Sequence, residues 1–368
     1  MPRSLLGTLF AFLAPSALCL DTVNYGAFTQ TATYSIANQL GLFQGVNLNV
    51  TYLQIPNSSF AYPNLLKGGY DVLTGTIDNA VNLRFNQNAT VTVLGQIDAG
   101  PDIVIAATPD ITSIQQLRGK SLIVDSPVSG YAYILRKVLS LYGLSLENGD
   151  YYFQTAGSTA LRYQYLTSGV LPNGTAVYAT ILTYPFTEFA RALPSGQRPT
   201  ILARVSDFIQ PFSSSAITVA EASLSDTSKR DTLKRFWAAL YAASTYLATP
   251  ENQDCAVKAI GKQLNVTSSV AQAEYAAATD ATSGESISVA GGFNVSRQGL
   301  LNVIDVRGQF GGFASIAKER GFDFVEAIEP GVGKMIDYSV KDEALAAYGN
   351  WIKQVTKRGK KLCTAAGL

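Results

Sequence analysis

Short apolar runs alternate with stretches whose apolar residues recur at helical spacing, from Thr22 to about residue 250. TVNYGAF (22–28) reads as a strand, and the period then changes to that of a helix from Thr31 to Leu40, closed by Gly41. VNLNVTYLQI alternates as a strand, NLLKGG closes a short helix, and YDVLTG, TVTVLGQI and DIVIAATP follow as strands. SIQQLRGKSLIVDSPVSGYAYILRKVLSLYGL predicts a short helix, a strand and a long helix, with Ile134, Leu135, Val138, Leu139 and Tyr142 on one face. TALRYQYLTSG predicts a helix. AVYATILTYP, PTILARVSDF and SAITVAEASL predict strands, and SKRDTLKRFWAALYAASTYLAT a long helix. The remainder is mostly helical. This order predicts an α/β fold with mainly parallel sheets. Neither an internal repeat nor a low-complexity linker interrupts it, so two lobes would be joined by strands rather than by a flexible tether.

The length, 368 residues, is enough for two lobes with a sizeable core. Apolar residues make up 47% and charged residues 15%, which excludes a disordered chain. Lys and Arg number 28 against 27 Asp and Glu, so no basic excess exists to meet nucleic-acid phosphates. Residues 1–19 read as a signal peptide: Arg3 supplies the positive end, Leu5 to Leu13 the apolar stretch, and Ala17-Leu18-Cys19 the cleavage site. That run is shorter than the ~20 residues a membrane span needs, and no later run qualifies. A secreted, extracellular protein without a membrane span, a monomer, is expected. Six N-x-S/T sequons, at Asn49, Asn57, Asn88, Asn173, Asn265 and Asn294, point to surface glycans. Removal of the leader leaves Cys255 and Cys363, for which a disulfide is the simplest pairing in an oxidising compartment; two buried thiols are the alternative.

The chain contains no histidine. Ser-His-Asp and Cys-His nucleophiles, HExxH zinc chemistry and histidine acid–base catalysis are therefore excluded together. The phosphate-cradling patterns G-x-x-x-x-G-K-[ST] and G-x-G-x-x-G are also missing. No cofactor or metal is expected.

The ordered motifs Leu40-Gly41-Leu42-Phe43, Leu66 to Val72, Ile114 to Gly119-Lys120, and Tyr142-Gly143-Leu144 resemble those of the type II periplasmic-binding-protein superfamily. The branch in question holds the sulfonate- and taurine-binding proteins and the fungal thiamine-pyrimidine synthases. The resemblance spans about residues 22–250. It implies two Rossmann-like lobes joined by two crossover strands, with a ligand cleft between them. The expected division is 20–105 plus 206–368 for the first lobe and 106–205 for an inserted second lobe. The synthase activity does not transfer, because that site uses a histidine which this chain lacks. Bacterial relatives deliver their ligand to a membrane permease; the receiving partner here stays open.

Ligands of open parallel sheets sit at the carboxyl ends of strands, where helix N-termini present free N–H groups. Two such junctions stand out: Thr76, Asp78 and Asn79 after YDVLTG, and Ser126, Ser129, Gly130 and Tyr131 after SLIVD. Facing one another, they would clamp a small neutral or weakly anionic molecule. Phe28, Tyr131 and Tyr184 are candidate apolar walls, and Asp98 a candidate selector of a cationic group, with helix capping or ion pairing the alternative for each polar residue. The chemistry favours a non-catalytic binding protein. An enzyme on the same fold and an interaction protein with a vestigial cleft are the alternatives.

Overall fold

The computed structural model describes residues 20–316 and 322–368, so the expected leader lies outside the described residues. Among the described residues ten strands form two sheets: β1 Asp21–Ala27, β2 Leu48–Gln54, β3 Val72–Thr76, β4 Val91–Gln96, β5 Val104–Ala107, β6 Lys120–Val124, β7 Tyr151–Thr155, β8 Ala179–Leu182, β9 Thr200–Arg204 and β10 Ser215–Ala220. The first sheet runs β2-β1-β3-β10-β4 and the second β7-β6-β8-β5-β9. Within each, three neighbouring strands are parallel, and one strand arriving from the other lobe runs antiparallel between its neighbours: β10 between β3 and β4, β5 between β8 and β9. The fold is α/β with two lobes. The expected division at residue 106 falls inside β5, all four residues of which pair in the second sheet, so the chain crosses between sheets ahead of Val104.

The helices that frame the cleft are α1 Ala32–Gln39, α2 Ser58–Leu66, α3 Ile77–Val81, α4 Gly130–Leu141, α5 Thr159–Ser168 and α6 Phe186–Ala192. Local chemistry starts them where the strand period ends. Thr31 caps α1 by accepting from the Tyr34 N–H, Asn57 caps α2 through Phe60, and Ser129 caps α4 through Ala132. Ile134, Leu135, Val138 and Leu139 of α4 are buried as their spacing predicts; Tyr142 lies past the helix end and is 37% exposed.

The first lobe buries its sheet beneath the helix Thr227–Leu247, whose Phe236 and Trp237 are fully covered. Phe236 stacks on Phe43 at 5.6 Å between ring centres, and Trp237 meets Phe293 edge-on. Cys255 and Cys363 form a disulfide that ties the C-terminal helix Gly359–Ala365 to the helix Gln253–Leu264. The helix Arg297–Gln309 packs against both α3 and α4, and so touches both lobes. Among the described residues no helix is long and apolar enough to cross a membrane.

Candidate ligand-binding site

The carboxyl ends of β1, β3, β6 and β8 converge on one cavity of about 40 Å3 between the sheets. The first lobe contributes Phe28, Thr74, Thr76 and Asn79, and the second contributes Asp125, Ser129, Tyr131 and Arg162. The loop around Asn79 and the loop around Ser129 therefore face each other. Their approach is close enough to require glycine: a Cβ on Gly130 would lie 2.6 Å from Thr76 Oγ1 and collide with the Asp78 carboxylate. At Gly75 a Cβ would lie 3.3 Å from the Tyr62 hydroxyl and in ordinary contact, at 3.5 Å, with the Phe28 ring.

Direct bonds hold the lobes together at the cavity rim. Asp125 Oδ2 accepts from Ser58 N at 3.1 Å and from Ser58 Oγ at 2.6 Å, and Ser59 Oγ donates to Ser126 Oγ at 3.0 Å. Arg307 completes the latch. Its guanidinium donates to Asp78 Oδ2 at 2.8 Å and Asn79 Oδ1 at 3.0 Å in one lobe, and to the Val128 carbonyl at 3.0 Å in the other. The same group lies 4.7 Å from the centre of the Tyr133 ring.

Phe28, Thr76, Asn79, Ser129 and Tyr131 line the cavity, and Asp78, Asp98, Ser126, Gly130 and Tyr184 do not. Asp78 is paired to Arg307, and Ser126 accepts the bond from Ser59. Asp98 sits where the two interlobe connections meet, its Oδ1 accepting from Gly100 N at 2.9 Å and Ser215 N at 3.4 Å. These bonds brace the connections, Asp98 does not line the cavity wall, and burial raises its pKa. Tyr184 is buried behind the site and donates to Glu285 Oε1. Glu285 in turn accepts from the Ala32 and Thr33 N–H groups at 2.9 and 2.7 Å, filling the N-terminus of α1 with a protein carboxylate. Burial, more than any neighbour, raises the Glu285 pKa.

Two further residues carry the site's electrostatics. Arg162 is 1% exposed and donates from Nη2 to Thr159 Oγ1, while Nε and Nη1 have no partner. Burial lowers its pKa, opposed by Asp125 and Tyr131. Asp125 Oδ1 is also buried without a partner. A sequence signal for Arg162 exists: Thr159, Arg162 and Leu166 form the buried stripe of α5, and a cation on such a stripe is out of place unless it meets an anion. Among the described residues no group of three His, Cys, Asp or Glu could hold a metal ion.

The family model "NMT1/THI5 like" matches residues 28–253, more than half of the chain. The chain belongs to the NMT1/THI5-like family. No curated protein sequence matches it. Among solved structures, the periplasmic nitrate-binding protein of Synechocystis PCC 6803 superposes with a TM-score of 0.66 at 11% identity, over 94% of this chain and 98% of that one. The alkanesulfonate-binding protein of Xanthomonas axonopodis pv. citri, bound to MOPS, gives 0.56 at 16% identity over 70% and 83%. A Candida albicans gene product with the generic periplasmic-binding-protein fold gives 0.55 at 15% identity over 89% and 95%. At these identities the likeness is one of fold, and this NMT1/THI5-like chain shares the two-lobed architecture of all three.

Proposed function

We propose that this protein binds a small, neutral or weakly anionic organic molecule between its lobes without transforming it. One observation carries the reading: a cavity is lined by the strand-end loops of both lobes, latched across it by direct bonds. That is the geometry by which two hinged halves enclose a solute. The absence of histidine from the whole sequence supports binding over acid–base turnover. A nitrate-binding and an alkanesulfonate-binding protein with the same fold support it as well.

Secretion and N-glycosylation belong to the same proposal. Asn49, Asn88, Asn173, Asn265 and Asn294 are exposed and Asn57 is half-buried, so no sequon is locked in the core. The Cys255–Cys363 disulfide fits an oxidising compartment. The test is ligand-induced stabilisation across a panel of small organic acids, amino acids, sulfonates and heterocycles. A ligand at 100 times its Kd adds about 2.7 kcal/mol to the folding free energy, readily seen as a thermal shift. A panel that leaves the unfolding midpoint unmoved throughout overturns the reading.

A further inference from the structure

Arg162 and Asp125 present an arrangement that solute binding alone does not explain. Both are buried, at 1% and 3% exposure, and both line the same cavity. They attract one another, yet no N–O pair between them falls within ion-pair distance among the described residues. Each keeps free bonding capacity: Nε and Nη1 on the guanidinium, Oδ1 on the carboxylate. A buried ion whose hydrogen bonds are unmade is among the costliest features a fold can carry. Structural ion pairs avoid that cost by meeting, as Arg307 and Asp78 do at 2.8 Å in this same cleft. Asp125 cannot swing freely to Arg162, because its Oδ2 is held by both donors of Ser58. The space between the two charges is therefore shaped for something that completes both.

We propose that the cleft recognises a zwitterion, with an anionic group seated on Arg162 and a protonated amine or similar N–H donor seated on Asp125 Oδ1. This rests on the reading of the protein as a solute binder and names the class of solute. A guanidinium donates charge-assisted N–H bonds to a carboxylate, and Nε and Nη1, which point from different edges of the group, are the donors left free here. The Tyr131 ring, 6.0 Å from the Arg162 guanidinium carbon, and the Phe28 ring supply flat walls for the carbon framework between the two groups. The cavity, about 40 Å3, is small, which suits a short framework between the two charges. A molecule bearing only one charge would leave the opposite residue buried and unpaired, so the site discriminates against it.

The test uses the full glycosylated chain and matched probes: a series of short amino-carboxylates beginning with β-alanine, with propionate and propylamine as single-charge analogues. Isothermal calorimetry should show at least one amino-carboxylate binding tenfold or more tightly than both analogues. Arg162→Gln should abolish its advantage over propylamine, and Asp125→Asn its advantage over propionate. A further check comes from the double variant Arg162→Met/Asp125→Asn. Without ligand, it should unfold at a higher temperature than the parent, because both incompletely bonded buried charges have been removed, while binding no amino-carboxylate. If uncharged or singly charged compounds from the wider panel bind and no amino-carboxylate does, the zwitterion is overturned and solute binding stands. A lower midpoint for the double variant overturns it too, since the two groups would then have their partners within the protein.

Discussion

Removing Arg307 tests whether the two lobes are latched by one side chain. Arg307 and Asp78 have 2% and 6% of their side chains exposed, and the guanidinium also bonds Asn79 and the Val128 carbonyl. Arg307→Met strands the Asp78 carboxylate in the interior. Breaking a buried pair by deleting one partner costs about 3–5 kcal/mol, most of it the penalty on the charge left behind. Asp78→Asn should cost less, because the guanidinium keeps its bonds to Asn79 and to Val128. The double variant Asp78→Asn/Arg307→Met should recover a large part of the Arg307→Met loss, since nothing charged remains to be stranded. Urea unfolding of the four proteins gives the coupling energy. Small-angle scattering shows whether loss of the Val128 bond lets the lobes part, as a larger radius of gyration. A shift below about 1 kcal/mol for Arg307→Met, the range of an exposed pair, would refute the latch.

The disulfide and the buried acids give two more tests. Cys255 and Cys363 close a loop of 108 residues, for which chain-entropy arguments give up to about 5 kcal/mol. Urea unfolding with and without reductant should therefore show a large drop in midpoint, and an unchanged midpoint would mean that the C-terminal helix docks by packing alone. Burial raises the pKa values of Glu274 and Glu285 above 4.5 and of Asp98 above 3.8, so the folded protein holds protons that the unfolded chain releases. Stability from these groups is complete below their unfolded values and falls as pH rises towards their folded ones, by at most about 1.4 kcal/mol per pH unit for each proton. The acids with lowered pKa values, such as Asp280 and Asp337, act below 3.8 and in the opposite sense. Unfolding free energies at pH 4.5 to 7.5 should fall with pH, and Glu274→Gln should flatten the slope; a rise across that range contradicts the assignment.

The fold was legible where the period of the pattern changes. The parallel strands with apolar runs, β1, β3, β6 and β8, are buried for most of their length, and β1 and β6 hand over to helices capped by Thr31 and Ser129. β7 was not legible. Tyr151–Thr155 is an edge strand with Tyr152 exposed at 47%, so its five residues show neither a full apolar run nor a clean alternation. α6 was missed for a related reason: with seven residues and only Thr187 and Ala190 buried, it presents too narrow a stripe to register as helical spacing.

Among the residues picked for the cleft that do not line its cavity, the two acids, Asp78 and Asp98, are held by bonds within the protein. Polar clusters at strand ends announce themselves, and five of the ten residues picked for the cleft line it. Sequence near Asp78 and Asp125 looks alike, an acid beside small polar residues at the end of a buried strand. What separates them is a partner 229 positions away. Arg307 reaches Asp78 and turns it into a structural ion, whereas Asp125 finds only Ser58, which leaves one oxygen free. Local chemistry carries no information about which carboxylate a remote guanidinium will claim. The helix stripe of α5 does carry some, because Arg162 occupies a position that packing reserves for apolar groups. A cation there, with Nε and Nη1 unbonded in a cavity where Asp125 also keeps one oxygen free, is the feature on which the proposed zwitterion rests.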